Sequence, residues 1–133
     1  MPNEKVSQKL INAGIDQERY RELVHFSKQY RKKLDRVNEF YGVHATVITG
    51  MPTSHNNSST VEATAERILK LRQDTDLIER CVRAACTSSP GMYDCVLKSV
   101  TEGIPYERLS APCTRRIFYI YRRRYFIILD KER

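Results

Sequence analysis

Apolar residues recur at steps of three and four through most of this chain, and that pattern predicts an all-α protein. Val6, Leu10 and Ala13 mark a short amphipathic helix over 3–13, with Gly14 as its stop. Asp16 supplies an N-cap for a long helix running to about Tyr41, with Gly42 just beyond its end. Along that helix Tyr20, Leu23, Ser27, Tyr30, Leu34, Val37 and Tyr41 keep a heptad spacing. Such a narrow seam suits antiparallel pairing within the chain or a homodimer, and an ordinary core-facing helix is the plainer reading.

The pattern then lapses. Residues 42–60 carry no formal charge and are rich in Ser, Thr, Asn, Gly and Pro, so they read as a flexible polar loop joining two helical parts. Within it the run from His44 to Thr49 suits a brief extended segment, and the stretches 50–52 and 54–59 suit loop. Ser59 followed by Glu62 resembles a capping box. From there a second long helix is expected to run to about Ala85, with Ala65, Ile68, Leu71, Ile78, Val82 and Ala85 as its apolar stripe. Ser88, Ser89 and Pro90 end that region and open the next, with a serine cap and a proline near the first helical position. The expected division is therefore a helical N-terminal region over 1–86 and a helix-turn-helix over 87–133.

In that last region Gly103 closes one helix, residues 105–109 form a short supporting helix, and 110–113 make a tight turn. The final helix has Phe118, Tyr121, Tyr125, Ile128 and Leu129 on its apolar side. Arg115, Arg116, Tyr119, Arg122 and Arg123 fall on what reads as the opposite side, within about a third of a turn. One side suits a small core and the other a polyanion.

In a helix-turn-helix the second helix enters the major groove and its N-terminal residues reach base edges. That places Thr114, Arg115, Arg116 and Tyr119 to read bases, because a guanidinium fork donates two hydrogen bonds to guanine O6 and N7. Arg122 and Arg123 lie one to two turns further on and are assigned to phosphates. Tyr119 also suits a phosphate or sugar contact, and Arg124 is expected nearer the core edge.

Charge sharpens this picture. The net charge is +7, and residues 87–133 hold nine Lys/Arg against five Asp/Glu, most of the excess in one helix. An acidic partner follows, with double-stranded DNA favoured over RNA because no aromatic sheet platform or Gly-x-x-Gly loop is present.

Cys81, Cys86, Cys95 and Cys113 are separated by gaps of four, eight and seventeen residues, unlike paired zinc knuckles, and read as reduced packing residues. His25, His44 and His55 have no neighbouring Cys or carboxylate at metal or triad spacing, and Asp74 and Asp76 face different ways on a helix. No phosphate-cradling glycine loop is found. The expectation is a non-enzymatic protein without cofactor or metal. With no apolar leader and no apolar run near the ~18 residues a bilayer requires, it is expected in the cytoplasm and away from membranes.

The tail VTEGIPYERLSAPCTRRIFYIYRRRYFIILDK, together with YRELVHFSKQYRKKLDRV and the TGMP before the polar loop, resembles small prophage and mobile-element proteins of Gram-positive bacteria. These are grouped with RinA- and ArpU-like late transcriptional regulators, whose tails resemble the promoter-binding region of sigma factors. The resemblance covers most of the chain. It implies control of transcription through DNA binding, beside RNA polymerase, with a supporting helix at 106–109 and a recognition helix from Thr114. Residues 110–113 depart from the pattern, since sigma-like tails often have a longer linker carrying a glycine. Because interfaces also favour Tyr and Arg, the alternative is a protein-interaction module docking on host RNA polymerase or another nucleic-acid-handling complex.

Overall fold

A computed structural model describes residues 6–48 and 58–133, and every regular element among them is helical. Helix α1 spans Gln8–Asn12, capped by the Ser7 hydroxyl accepting from the Leu10 amide at 3.4 Å. Gly14 then turns the chain at φ +92°, and Ile15 is fully buried. Asp16 caps α2, Gln17–Lys28, by accepting from the Arg19 amide at 2.8 Å. Both N-terminal punctuation marks act as their residue types predict.

The single long helix expected from Asp16 to Tyr41 is two helices. The Gln29 amide bonds back only three residues, to the Phe26 carbonyl at 3.2 Å, and α3 then runs over Tyr30–Ile48. The seam explains the break. Its first half, with Tyr20, Leu23, Phe26 and Ser27 buried, packs on the C-terminal helices, whereas α3 packs chiefly on the helix that follows it. Two different partners call for two directions.

Helix α3 also passes through Gly42 and takes in residues 44–48 of the stretch expected to be extended, while Thr49 lies outside the described residues. A glycine inside a helix costs about 1 kcal/mol, a small penalty beside the burial of Val37 and Ile68 in the α3–α4 pairing. The expected loop shrinks accordingly, and its central part, with Gly50, Met51, Pro52 and His55, lies outside the described residues. Helix α4, Ser58–Ala85, starts one residue before the expected cap at Ser59, whose side chain also lies outside them.

Helices α3 and α4 form an antiparallel hairpin. Tyr30 donates to Glu79 Oε2 at 2.7 Å, Lys33 pairs with Asp74 at 2.8 Å, and Arg72 lies over the Tyr41 ring at 5.5 Å. As one residue number rises the other falls. Of the expected α4 stripe, Ile68, Ile78, Val82 and Ala85 are buried, Leu71 is half-buried and Ala65 is exposed. Thr75 joins the buried set because its hydroxyl donates to the Arg72 carbonyl at 2.9 Å, which satisfies it without water.

Ser89 precedes a one-turn 3-10 helix, Pro90–Met92, without making a side-chain cap bond, and α5 follows over Tyr93–Glu102. Gly103 ends it in the left-handed conformation, φ +69°, as the sequence predicts. The last helix, α6, spans Arg115–Glu132. It packs along α4 and against α2 and α5, so one core draws on residues from Leu10 to Leu129. No helix among the described residues is long and apolar enough to cross a membrane.

Candidate nucleic-acid interface

Helix α6 is fixed to the core by Phe118, Tyr125, Phe126 and Leu129, all buried. At about 100° per residue, these four define a sector rotated roughly an eighth of a turn from the expected apolar side. Phe126 accounts for the rotation. Its ring meets Tyr20 edge-on at 5.1 Å and Tyr125 at 5.0 Å, and it draws the buried sector toward α2. Tyr121 and Ile128, expected in the core, are only half-buried at its margin.

The rotation changes which arginines face outward. Arg122, expected to reach phosphate, falls inside the buried sector. Its Nε donates to Ser99 Oγ at 3.2 Å, one terminal nitrogen donates to Tyr20 Oη at 3.1 Å, and the guanidinium lies 5.1 Å from the Phe126 centroid. One side chain thus ties α6 to α5 and α2 through the polar bonds of its guanidinium. It is a structural residue. Arg124, expected near the core edge, is instead exposed and lies over the Tyr121 ring at 5.3 Å.

The outward face of α6 therefore consists of Arg116, Ile120, Arg123, Arg124 and Lys131, with Ile117 beside them, while Ile127 at a similar angle rests against the core. Arg116, Arg124 and Lys131 are exposed and Arg123 half-exposed. Neither Arg116 nor Arg123 has a hydrogen bond or ion pair among the described residues. No acidic residue occurs from Arg115 to Leu129. The charges that α6 carries over this stretch are therefore all positive, the arrangement that attracts a polyanion.

The first turn of α6 is open. Thr114 caps it, its hydroxyl accepting from the Ile117 amide at 3.4 Å, and Thr114, Arg115 and Arg116 are all exposed. Arg115 is held by an ion pair with Glu107 and lies 5.5 Å over the half-buried Tyr119 ring. Of the six residues expected to meet nucleic acid, Thr114, Arg115 and Arg116 are exposed and Tyr119, Arg122 and Arg123 are half-buried, with the Arg122 guanidinium already committed to Ser99 and Tyr20.

The supporting helix expected over 105–109 is a single 3-10 turn, Tyr106–Arg108. Pro105 enters extended, at ψ 155°, and Ser110 leaves at φ +50°, so too few residues remain for an α-helical nucleus. Ser110 takes the left-handed conformation that glycine favours. Tyr106 does the bracing: its hydroxyl donates to the Cys113 carbonyl and its ring lies 5.5 Å from Phe118. The helix packed on α6 from this side is α5.

The remaining chemistry-bearing residues are tied into the structure. Burial pushes the Cys81 and Cys86 thiols up to about 11, leaving them protonated and inert. The Cys113 thiol donates to Met92 Sδ at 3.6 Å, and the Cys95 thiol to the Leu109 carbonyl at 3.7 Å. Asp74 pairs with Lys33 while Asp76 approaches Arg72 at 4.0 Å, so the two acids point apart. His25 is exposed on α2. His44 and His55 have side chains outside the described residues. Among the described residues no group of three His, Cys, Asp or Glu side chains is placed to hold a metal.

No family model matches this chain, and neither a curated protein nor a solved structure does.

Proposed function

We propose that this protein is a sequence-preferring, double-stranded-DNA-binding regulator that lays α6 in the major groove. The observation that carries the proposal is the acid-free outward face of α6, opposite a fully buried side that fixes the helix rigidly. In this reading Thr114, Arg115, Arg116 and Tyr119 meet base edges and nearby phosphates, and Arg123 and Arg124 meet phosphates. Arg122 orients the helix. The resemblance to phage and mobile-element regulators supplies the biological setting, control of transcription beside RNA polymerase.

A gel-shift titration with DNA flanking the protein's own gene tests this. Affinity is expected to fall steeply with salt, and Arg123→Gln with Arg124→Gln is expected to lower the log–log salt slope by about two, near 0.9 per phosphate contact. Arg116→Ala is expected to reduce preference for that fragment by about 1–3 kcal/mol while leaving nonspecific binding largely intact. Unchanged affinity and slope in these variants would remove the mechanism.

A second reading, a protein-interaction module, is favoured by the α3–α4 hairpin. Leu69 and Tyr41 are 52% and 44% exposed there, and a cleft of about 410 Å³ is lined by Arg36, Phe40, Arg67 and Leu71. Docking of this hairpin on RNA polymerase or another nucleic-acid-handling complex would survive nuclease and high salt. Homodimerisation through the same surface would show as a doubled mass in solution.

A further inference from the structure

Two isoleucines interrupt the basic face of α6. Ile117 is 44% exposed. Ile120 is half-buried, yet neither residue is among the apolar side chains packed on the core. They are three residues apart and hence neighbours on the helix surface. At helical spacing, Ile120 lies near the middle of the outward sector. Arg116 and Arg123 flank it on one side, Ile117 and Arg124 on the other. Packing explains Ile127 and Ile128, which rest against the core. It does not explain Ile117 and Ile120.

We infer that Ile117 and Ile120 are specificity residues that contact thymine methyl groups, next to a guanine read by Arg116. The inference rests on the proposed DNA-binding reading and adds a base preference to it. In the major groove thymine alone presents a C5 methyl, an apolar knob among hydrogen-bonding edges, and an apolar side chain recognises it by excluding water. The surrounding cations select the occupant of this apolar patch. Arg116, Arg123 and Arg124 match a polyanion that carries methyl groups at its base edges, which duplex DNA does. Phosphate contacts alone would leave both isoleucines against water or polar groove edges.

The test begins with selection of bound duplexes from a random-sequence library by the full chain. The consensus is expected to hold guanine beside one or two thymines. The selected duplex is then compared with the same duplex carrying deoxyuridine at those thymines, which removes only the methyl groups. Wild-type affinity is expected to fall roughly threefold to fivefold per methyl removed, the value of one buried methyl-sized group. The double variant Ile117→Ala with Ile120→Ala is expected to bind the two duplexes equally, with unchanged circular dichroism.

Equal wild-type affinity for thymine and deoxyuridine sites overturns the inference and leaves DNA binding standing, as does a consensus without thymine. Failure to bind any duplex at low salt overturns the DNA-binding reading itself. Capture of an acidic protein by this face, without duplex binding, does the same.

Discussion

Arg122 and Arg123 are adjacent in sequence and take opposite parts. About 100° of helical rotation separates them, enough to put one guanidinium between Ser99, Tyr20 and the Phe126 ring and to leave the other without a hydrogen bond or ion pair among the described residues, although both are half-buried. Arg122→Met is expected to destabilise the fold by about 2 kcal/mol, because Ser99 and Tyr20 each lose a charged partner. Arg123→Met is expected to change stability by less than about 0.5 kcal/mol while weakening binding to DNA. Urea denaturation of the two variants, set beside their gel shifts, separates the roles. The distinction is hidden in composition, since a run of three arginines looks uniform. It becomes visible only when Phe126 is counted in the core, which centres the buried sector beside Arg122. An apolar set drawn from Phe118, Tyr121, Tyr125, Ile128 and Leu129 misses that centre.

At the scale of elements, α2 and α6 are joined by bonds of different character. Arg19 pairs with Asp130 at 2.7 Å near the surface, where solvent limits its worth. Ser27 and Tyr125 meet at 2.7 Å inside the core. The Ser27 hydroxyl already donates to the Leu23 carbonyl at 2.8 Å, so Tyr125 is the donor to Ser27. Burial pushes the Tyr125 phenol well above its usual range, and burial together with the bond to Glu79 does the same for Tyr30.

In both cases the folded state favours the neutral phenol. The resulting stabilisation is complete below the unfolded value of ~10 and is lost as pH rises past it toward the folded value. Thermal melts are therefore expected to decline most steeply above pH ~10. Tyr125→Phe should flatten part of that decline and lower stability at neutral pH by about 1 kcal/mol. Cap positions such as Asp16 and Gly103 were legible in the sequence because their signals are local. The break at Gln29 and the passage of α3 through Gly42 were not, because both follow from which helix packs on which.

Across the whole molecule, a hairpin of α3 and α4 is joined to a helical core that fixes the orientation of α6. The all-helical class follows from periodicity alone. The candidate site was legible in outline, through the clustering of basic residues on one helix, but its exact face was not. Helical wheels give angles between residues, whereas the neighbours α2, α4 and α5 determine which angle points inward. Ile120 and Arg124 belong to the outward face for that reason, and their residue types alone gave no such signal.

The outward face of α6 is where the polyanion is proposed to lie. Arginine side-chain Nε–Hε resonances of the labelled protein, followed as a duplex is added, test it most directly. Arg116, Arg123 and Arg124 are predicted to shift together, while Arg122 keeps its resonance because Ser99 and Tyr20 already hold it. Shifts confined to Arg36 and Arg67 on the hairpin, with α6 silent, would contradict the account.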